Sequence, residues 1–300
     1  MQTIGVSVCV FTYNYENYLA LALESILKQK CNFPIEIVIG DDLSTDNTRK
    51  ISEQYFSRYP DIIRLSFNET NIGGTHNWVK TISICKGKYI ALLDGDDYFT
   101  DVNKLQNQFD CLENNDDAVL CFHAVEEIYE GEENRNTIVR FDKERYGVED
   151  FLSRGWFIRT GSTFFKNGIL PKNPPPWVYD FPYRYDTIMH VLLGLKGITI
   201  YIDEPMSVWL KHSKGMSGEL LKDKVKNFYS EINMACKLNE HTGYKYDKIV
   251  KKYVSILYAG IFLHLLRDKL WVSNFKVLPK LFIQANWNTI GKRIINRLSK

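Results

Sequence analysis

The sequence has 300 residues, 45% hydrophobic and 25% charged, with a formal net charge of +2. That length suffices for one large domain or one and a half average ones, with a core that needs no disulfides. An aromatic content of 14% with so small a net charge excludes intrinsic disorder, and 38 Lys+Arg against 36 Asp+Glu excludes a bulk nucleic-acid binder.

In chain order, residues 6–11 form a β-branched run too apolar for a one-faced strand, so they read as a strand covered on both sides. A polar turn follows at 12–17, and Leu19, Ala22, Leu23, Ile26 and Leu27 then mark one helix face. The cycle repeats with a strand at 35–40, a turn at 41–46 and a helix at 48–58. A third strand at 63–67 leads through a Gly-containing loop to a helix around 78–84. The fourth strand, 89–93, ends in Asp94-Gly95-Asp96-Asp97, and a helix at 102–113 and a strand at 118–122 follow. Such alternation predicts an α/β fold with a mostly parallel, Rossmann-like sheet flanked by helices. Beyond residue 126 the pattern weakens: 131–136 is a charged loop, and 170–182 holds five prolines. Periodicity returns in a helix at 187–195 and a strand at 198–202, and helices are expected at 219–238 and about 247–270. The resulting division is 1–125, 126–217 and a helical C-terminal extension at 218–300.

Charge is unevenly spread. Residues 218–300 carry 16 Lys/Arg against 6 Asp/Glu, and residues 1–217 carry 22 against 30. Lys248, Lys251, Lys252, Arg267, Lys269, Lys292, Arg293 and Arg297 are interleaved with aromatics and Leu, which suits either helices lying on an anionic leaflet or a solvated basic face. The six cysteines are scattered without a C-x-x-C pair, the apolar run at 6–11 is too short for a signal peptide, and the stretch 253–266 is too short to span a bilayer. These features predict a reduced, cytoplasmic protein, peripheral at most on the membrane's cytoplasmic face.

In a parallel sheet, ligands bind just outside the carboxyl ends of the strands, where the polar clusters of this chain fall. Three carboxylates within four positions repel one another unless a cation or donor array offsets the charge, and oxygen ligands suit Mg²⁺ or Mn²⁺. The plainer reading is an Asp-rich turn before a helix that Asp101 caps. At Asp41-Asp42, one carboxylate could accept the imide N–H of a uracil; the plainer alternative is an Asx-turn or cap, for which Ser44 and Asp46 are better placed. Thr12, Tyr13 and Asn14 could contact base or ribose, or simply make a turn. Asn71, Gly73 and Asn77 bracket a loop whose glycines let backbone pass close to a ligand.

The runs Phe11-Thr12-Tyr13-Asn14, Ile39 to Thr48, Asn71-x-Gly73 to Asn77 and Leu92 to Asp97 resemble, in order and spacing, the successive signatures of family 2 glycosyltransferases with the GT-A fold, of the bacterial surface-polysaccharide type. Phe11 and Leu43 stand where Pro and Gly are often found, and neither replaces a chemical group. The resemblance implies an inverting transfer from a nucleotide-sugar donor, most often a UDP-sugar, to a glycan or lipid-linked oligosaccharide. It implies donor contacts from Thr12, Tyr13, Asn14, Asp41, Asp42, Asn71, Gly73, Asn77, Asp94 and Asp96, and a divalent cation held by Asp96, Asp97 and His212. Asp186, opening the helix at 187–195, is implied as the base, with Asp180 as runner-up; a plain helix cap is the alternative. The segment at 208–217 resembles the family's aromatic-basic-x-His segment, with Lys211 one place from the usual Arg and assigned to the diphosphate. Trp156, Phe157, Trp177, Tyr179 and Tyr183 could stack on acceptor sugars or pack internally. A nucleotidyltransferase would need a Gly-rich basic loop at 12–17, which is lacking; a binding module of the same fold without turnover is the non-enzymatic rival.

Overall fold

The computed structural model describes residues 3–213, 215 and 223–267. The described residues fall into two compact units, one of the chain up to Gly147 with Phe157–Ser213, the other of Val148–Trp156 with residues after Lys214.

The first unit is built on one ten-stranded sheet. Its elements are β1 (Val6–Thr12), α1 (Leu19–Leu27), β2 (Ile35–Asp41), α2 (Thr48–Arg58), β3 (Ile63–Phe67), α3 (Gly74–Ser83) and β4 (Tyr89–Asp94). Then come β5 (Tyr98–Phe99), α4 (Lys104–Glu113), β6 (Ala118–Tyr129), β7 (Thr137–Val139), β8 (Arg145–Tyr146), β9 (Phe164–Lys166), α6 (Tyr185–Gly194) and β10 (Ile198–Lys211), with α5 (Val148–Arg154) belonging to the second unit. The order is β3-β2-β1-β4-β9-β6-β10-β5, with β7 beside β6 and β8 beside β10. The first four strands are parallel, as the alternation requires. Every residue of β1 is buried, because helices cover both faces of a central parallel strand. In α1 the buried positions Leu19, Ala22, Leu23 and Ile26 repeat at helical spacing, so the predicted face is the one that packs. Gly40 admits α3 to the sheet: a Cβ there would lie 2.0 Å from Thr81 Oγ1.

The sheet departs from simple alternation after β4. The strand expected at 118–122 does not join β4; β9 lies between β4 and β6, antiparallel to both. β6 and β10 are also far longer than their apolar runs, and they pair in parallel from Ile198↔Ala118 to Lys211↔Tyr129. Register shifts around Pro205 absorb the charged Asp203-Glu204-Pro205 stretch that would otherwise end the strand.

In the second unit, α7 (Lys224–His241) and α8 (Asp247–Arg267) form a helical pair that α5 joins. Asp223 caps α7 by accepting the Lys226 N–H at 2.9 Å. Among the described residues no helix is long and apolar enough to cross a membrane. Of the basic residues singled out from sequence, Lys248, Lys251 and Lys252 are exposed on α8, while Lys269, Lys292, Arg293 and Arg297 lie outside the described residues.

Candidate active site

Thr12, Asp41 and Asp94 end three adjacent strands in register, Thr12 opposite Asp41 and Phe11 opposite Asp94. Strands pack about 4.8 Å apart, so these termini lie within about 10 Å of one another. Backbone bonds tie the turns beyond them: the Asp42 N–H donates to Thr12 O at 3.1 Å, and the Gly95 N–H to Phe11 O at 2.8 Å. A Cβ on Gly95 would crowd Phe11 O at 3.1 Å and Thr12 Cβ at 3.2 Å, which explains a glycine within the acidic turn.

Asp42 is buried and holds the loop after β3. Its Oδ1 accepts from Asn68 Nδ2 at 3.0 Å and the Ile72 N–H at 2.8 Å, its Oδ2 accepts the Gly73 N–H at 2.8 Å, and its carbonyl accepts Asn71 Nδ2 at 3.1 Å. Three of about four acceptor positions on the carboxylate are thus filled. Gly73, at φ +85°, adopts a conformation that favours glycine.

Several residues expected to touch the donor have hydrogen-bond partners within the chain. Asp41 is fully buried: its carboxylate takes the Ser44 N–H and hydroxyl and the Arg49 guanidinium, at 2.5 Å from Nε. Its carboxylate thus bonds the backbone three residues on, while the Asx-turn falls to Asp46, one of the two residues expected to make it, whose Oδ1 accepts the Thr48 N–H at 2.9 Å. Asn77 is buried, donating to Gly40 O at 2.9 Å and accepting from Asn68, so it packs α3 to the sheet. Asn14, at φ +59°, accepts the Thr45 N–H at 2.8 Å and links the first two turns. Tyr13 is exposed, and Thr12 Oγ1 is buried with no hydrogen-bond partner among the described residues.

The acidic turn faces the end of β10. Asp96 Oδ2 lies 3.0 Å from His212 Nε2, across 116 positions of chain. The His212 side chain is fully buried, and its Nδ1 has no partner among the described residues. Asp97, expected beside them as a ligand, is buried and accepts the Leu210 N–H on Oδ1 at 2.9 Å, which fastens the acidic turn to β10. Burial, then the charge of Asp96, pushes the Asp94 carboxyl up to about 8; Thr160 opposes by hydrogen bonding, and Asp186 adds to the rise. Burial followed by the Asp96 and Asp94 charges likewise holds Asp97 well above the usual carboxylate range. The turn therefore carries more negative charge than its surroundings tolerate, which is the condition a cation relieves.

Asp186 sits in the first turn of α6, half-buried, with Oδ1 accepting the Thr187 N–H at 2.6 Å. Its influence on Asp94 places it within electrostatic reach of the acidic turn. A chain of rings positions it: Phe11 stacks on Trp78 at 4.2 Å, and Trp78 meets Tyr185 edge-on at 6.2 Å. Asp180 is exposed at the end of the 3₁₀ turn Pro176–Asp180, which is held to α3 by Thr75 Oγ1 donating to Phe181 O. Of the candidate stacking aromatics, Tyr183 and Trp156 are exposed, Tyr179 stacks on His76, and Phe157 packs against Phe122.

Sequence reasoning missed two groups here. Tyr15 and Tyr18 flank His212, with ring centroids 6.2 and 4.3 Å away. Burial, then the Asp96 and Asp94 charges, pushes the Tyr15 hydroxyl well up. The second group surrounds Lys211, whose ammonium reaches Glu127 and the Tyr129 hydroxyl, both at 2.9 Å, and lies over Trp209. Arg159 binds the same Glu127 at 2.6 Å and lies over the same indole. Burial alone would raise the Glu127 carboxyl, but hydrogen bonds from Arg159 and Lys211 hold it below its ordinary value. Two cations share one carboxylate, so Lys211, assigned to a diphosphate, is already engaged. Among the described residues no three His, Cys, Asp or Glu side chains converge into a ready-made metal cage.

The fold is similar to that of S. aureus TarS 1-349 in complex with UDP-GlcNAc, with a TM-score of 0.63 at 18% identity over 84% of this chain and 72% of that one. It is also similar to the mannosyltransferase PcManGT from Pyrobaculum calidifontis in complex with GDP-Man and Mn²⁺, with a TM-score of 0.53 at 15% identity over 94% of this chain and 87% of the other. An uncharacterised protein of Mycobacterium tuberculosis is 32% identical over 225 residues, 73% of this chain; the chain spans 62% of that relative's length. The model of Glycosyl transferase family 2 matches residues 7–169, the stretch that contains all but the first residue of β1, both aspartate turns and the loop held by Asp42. With more than half its length matched and the family's motifs meeting at one sheet edge, the chain belongs to glycosyl transferase family 2.

Proposed function

We propose that this protein transfers a sugar, with inversion, from a nucleoside diphosphate sugar to a hydroxyl of a growing glycan, assisted by Mg²⁺ or Mn²⁺. The observation that carries the reading is the closure of the acidic turn on His212. Asp96 Oδ2 and His212 Nε2 stand within hydrogen-bond distance, 3.0 Å apart, so these two side chains would be near enough to hold one cation between them. Two protein ligands with the remaining positions on phosphates is the usual arrangement for such ions, and the residues fit it. When bound, the cation neutralises charge on the departing diphosphate.

The chain's own residues divide the remaining work. The Asp42 carboxylate has one acceptor position left for the imide N–H of a uracil, and the loop it holds closes on the donor; TarS bound to UDP-GlcNAc supports a UDP-sugar, and PcManGT bound to GDP-Man and Mn²⁺ supports the metal. Asp97 fixes the acidic turn against β10, and Tyr15 and Tyr18 hold the His212 ring. Asp186 takes the proton of the acceptor hydroxyl as its oxygen attacks the anomeric carbon opposite the diphosphate, and the bond to the diphosphate breaks. The acceptor lies on the second-half residues around Tyr183. A lipid-linked acceptor would explain the basic residues of α8 and the chain beyond as a peripheral contact with the anionic cytoplasmic leaflet.

Asp186→Asn tests the transfer. It should retain nucleotide-sugar binding by calorimetry while turnover falls about 10²–10⁴-fold. Turnover that survives there and disappears in Asp180→Asn moves the base; turnover that survives both removes a carboxylate base from the reaction.

A further inference from the structure

We propose that Cys9 and Cys85 form an intramolecular disulfide when the protein meets a small-molecule disulfide of the glutathione class. Their sulfurs lie 3.1 Å apart across 76 positions of sequence. A disulfide needs a separation of about 2.05 Å, so about 1 Å of approach completes the bond. Both ends are well anchored. Cys9 lies in the middle of β1, paired on one side with Val38 and on the other with Leu92. Cys85 follows the last residues of α3, and its sulfur also faces Thr81 O at 3.3 Å.

Exposure sets the order of events. Cys85 is half-buried and meets the reagent; Cys9 is wholly buried, and burial together with the neighbouring thiol keeps it protonated. The Cys85 thiolate attacks one sulfur of the small disulfide, which leaves a mixed disulfide on Cys85 and expels one thiolate. That thiolate takes the Cys9 proton; Cys9 then attacks Cys85 Sγ and expels the second thiolate, which takes up the proton that Cys85 released to water on ionising. The protein loses two electrons and two protons, and the reagent is reduced to two thiols.

The bond would tie β1 to the rear of α3, the helix whose other end begins at Gly73 and Gly74, next to the loop held by Asp42. A rival lies in the same unit: Cys111 and Cys121 also share a hydrogen bond.

The test exposes the full chain to oxidised glutathione, alkylates the remaining thiols and maps peptides by mass spectrometry. The expected product joins the Cys9 and Cys85 peptides with loss of two hydrogens. Closing so long a loop should raise Tm by roughly 5–10 °C, reversibly with dithiothreitol. Cys85→Ser, at a half-exposed site where folding should be retained, should abolish both the crosslink and the rise. A glutathione adduct that remains on Cys85, a bond between Cys111 and Cys121 alone, or six free thiols at saturating oxidant each overturns the proposal.

Discussion

Asp42→Asn separates the loop-holding part of the site from the chemistry. The carboxylate accepts Asn68 Nδ2 and the Ile72 N–H on one oxygen and the Gly73 N–H on the other. An asparagine of the same shape keeps one oxygen and places an amino group at the other position. The less costly orientation keeps the two bonds on Oδ1 and sets the new NH₂ against the Gly73 N–H, two donors face to face. Losing one bond to a charged acceptor costs ~1.5–3 kcal/mol, and an unsatisfied N–H adds ~1–3 kcal/mol. Because Asn71 beside it is exposed, the loop can meet part of that cost by opening to water, and ~3 kcal/mol is a fair working figure. Hydrogen exchange at the Ile72 and Gly73 amides should then accelerate about 100-fold, while exchange in β1 stays within a few-fold of the parent. Donor KM should rise with little change in kcat. Unchanged exchange at both amides would refute the inference that Asp42 holds this loop.

Other outcomes are as direct. His212→Asn should weaken Mn²⁺ binding in the presence of UDP by roughly 10-fold or more, read by electron paramagnetic resonance; parent-like affinity would remove His212 from the metal proposal. Lys104 is fully buried, with Gln108 Oε1 at 2.6 Å and the Phe99 ring beneath it, and burial depresses it from the ordinary 10.5 to about 7. The unfolded chain therefore binds the extra proton between these values, so this residue makes stability rise with pH from about 7 to 10, by ~1.4 kcal/mol per unit. Urea denaturation at pH 7, 8 and 9 should show that slope in the parent and lose it in Lys104→Met; equal slopes would contradict it. Gly40→Ala should cost ~1–3 kcal/mol, and Thr81→Ala in the same chain should restore most of it, since Thr81 Oγ1 is the atom struck at 2.0 Å. Failure of that rescue in a double-mutant cycle would locate the strain elsewhere.

The donor half was legible because each motif directly follows a short apolar run. Residues 63–67 are predicted and observed as a strand with the same ends, and Asp94 to Asp97 stand where a parallel strand must stop. The remainder depended on partners far apart in sequence. The second part of β10 was hidden by Asp203-Glu204-Pro205, which reads as a break until β6 supplies a parallel neighbour that tolerates shifts in register. Asp41 and Asp42 look alike in sequence, and only tertiary neighbours, Arg49 for one and the Asn68–Gly73 loop for the other, give them different tasks. Glu127 gathers cations from positions 159 and 211, and no local pattern announces that. Tyr15 could have been suspected: it is a large aromatic in a polar turn just beyond the motif residues.

The antiparallel insertion of β9 has a consequence for anyone dividing this protein. β4 pairs on one side with β1 and on the other with residues 164–166, so a ribosome must make some 70 further residues before that edge is closed. At ordinary translation speeds the nascent chain carries a bare apolar strand for several seconds, an invitation to intermolecular pairing. A recombinant piece ending near residue 125 would keep that edge permanently. Chimaeras intended to exchange sugar specificity should therefore be joined after Lys166, where both neighbours of the strand are already in hand.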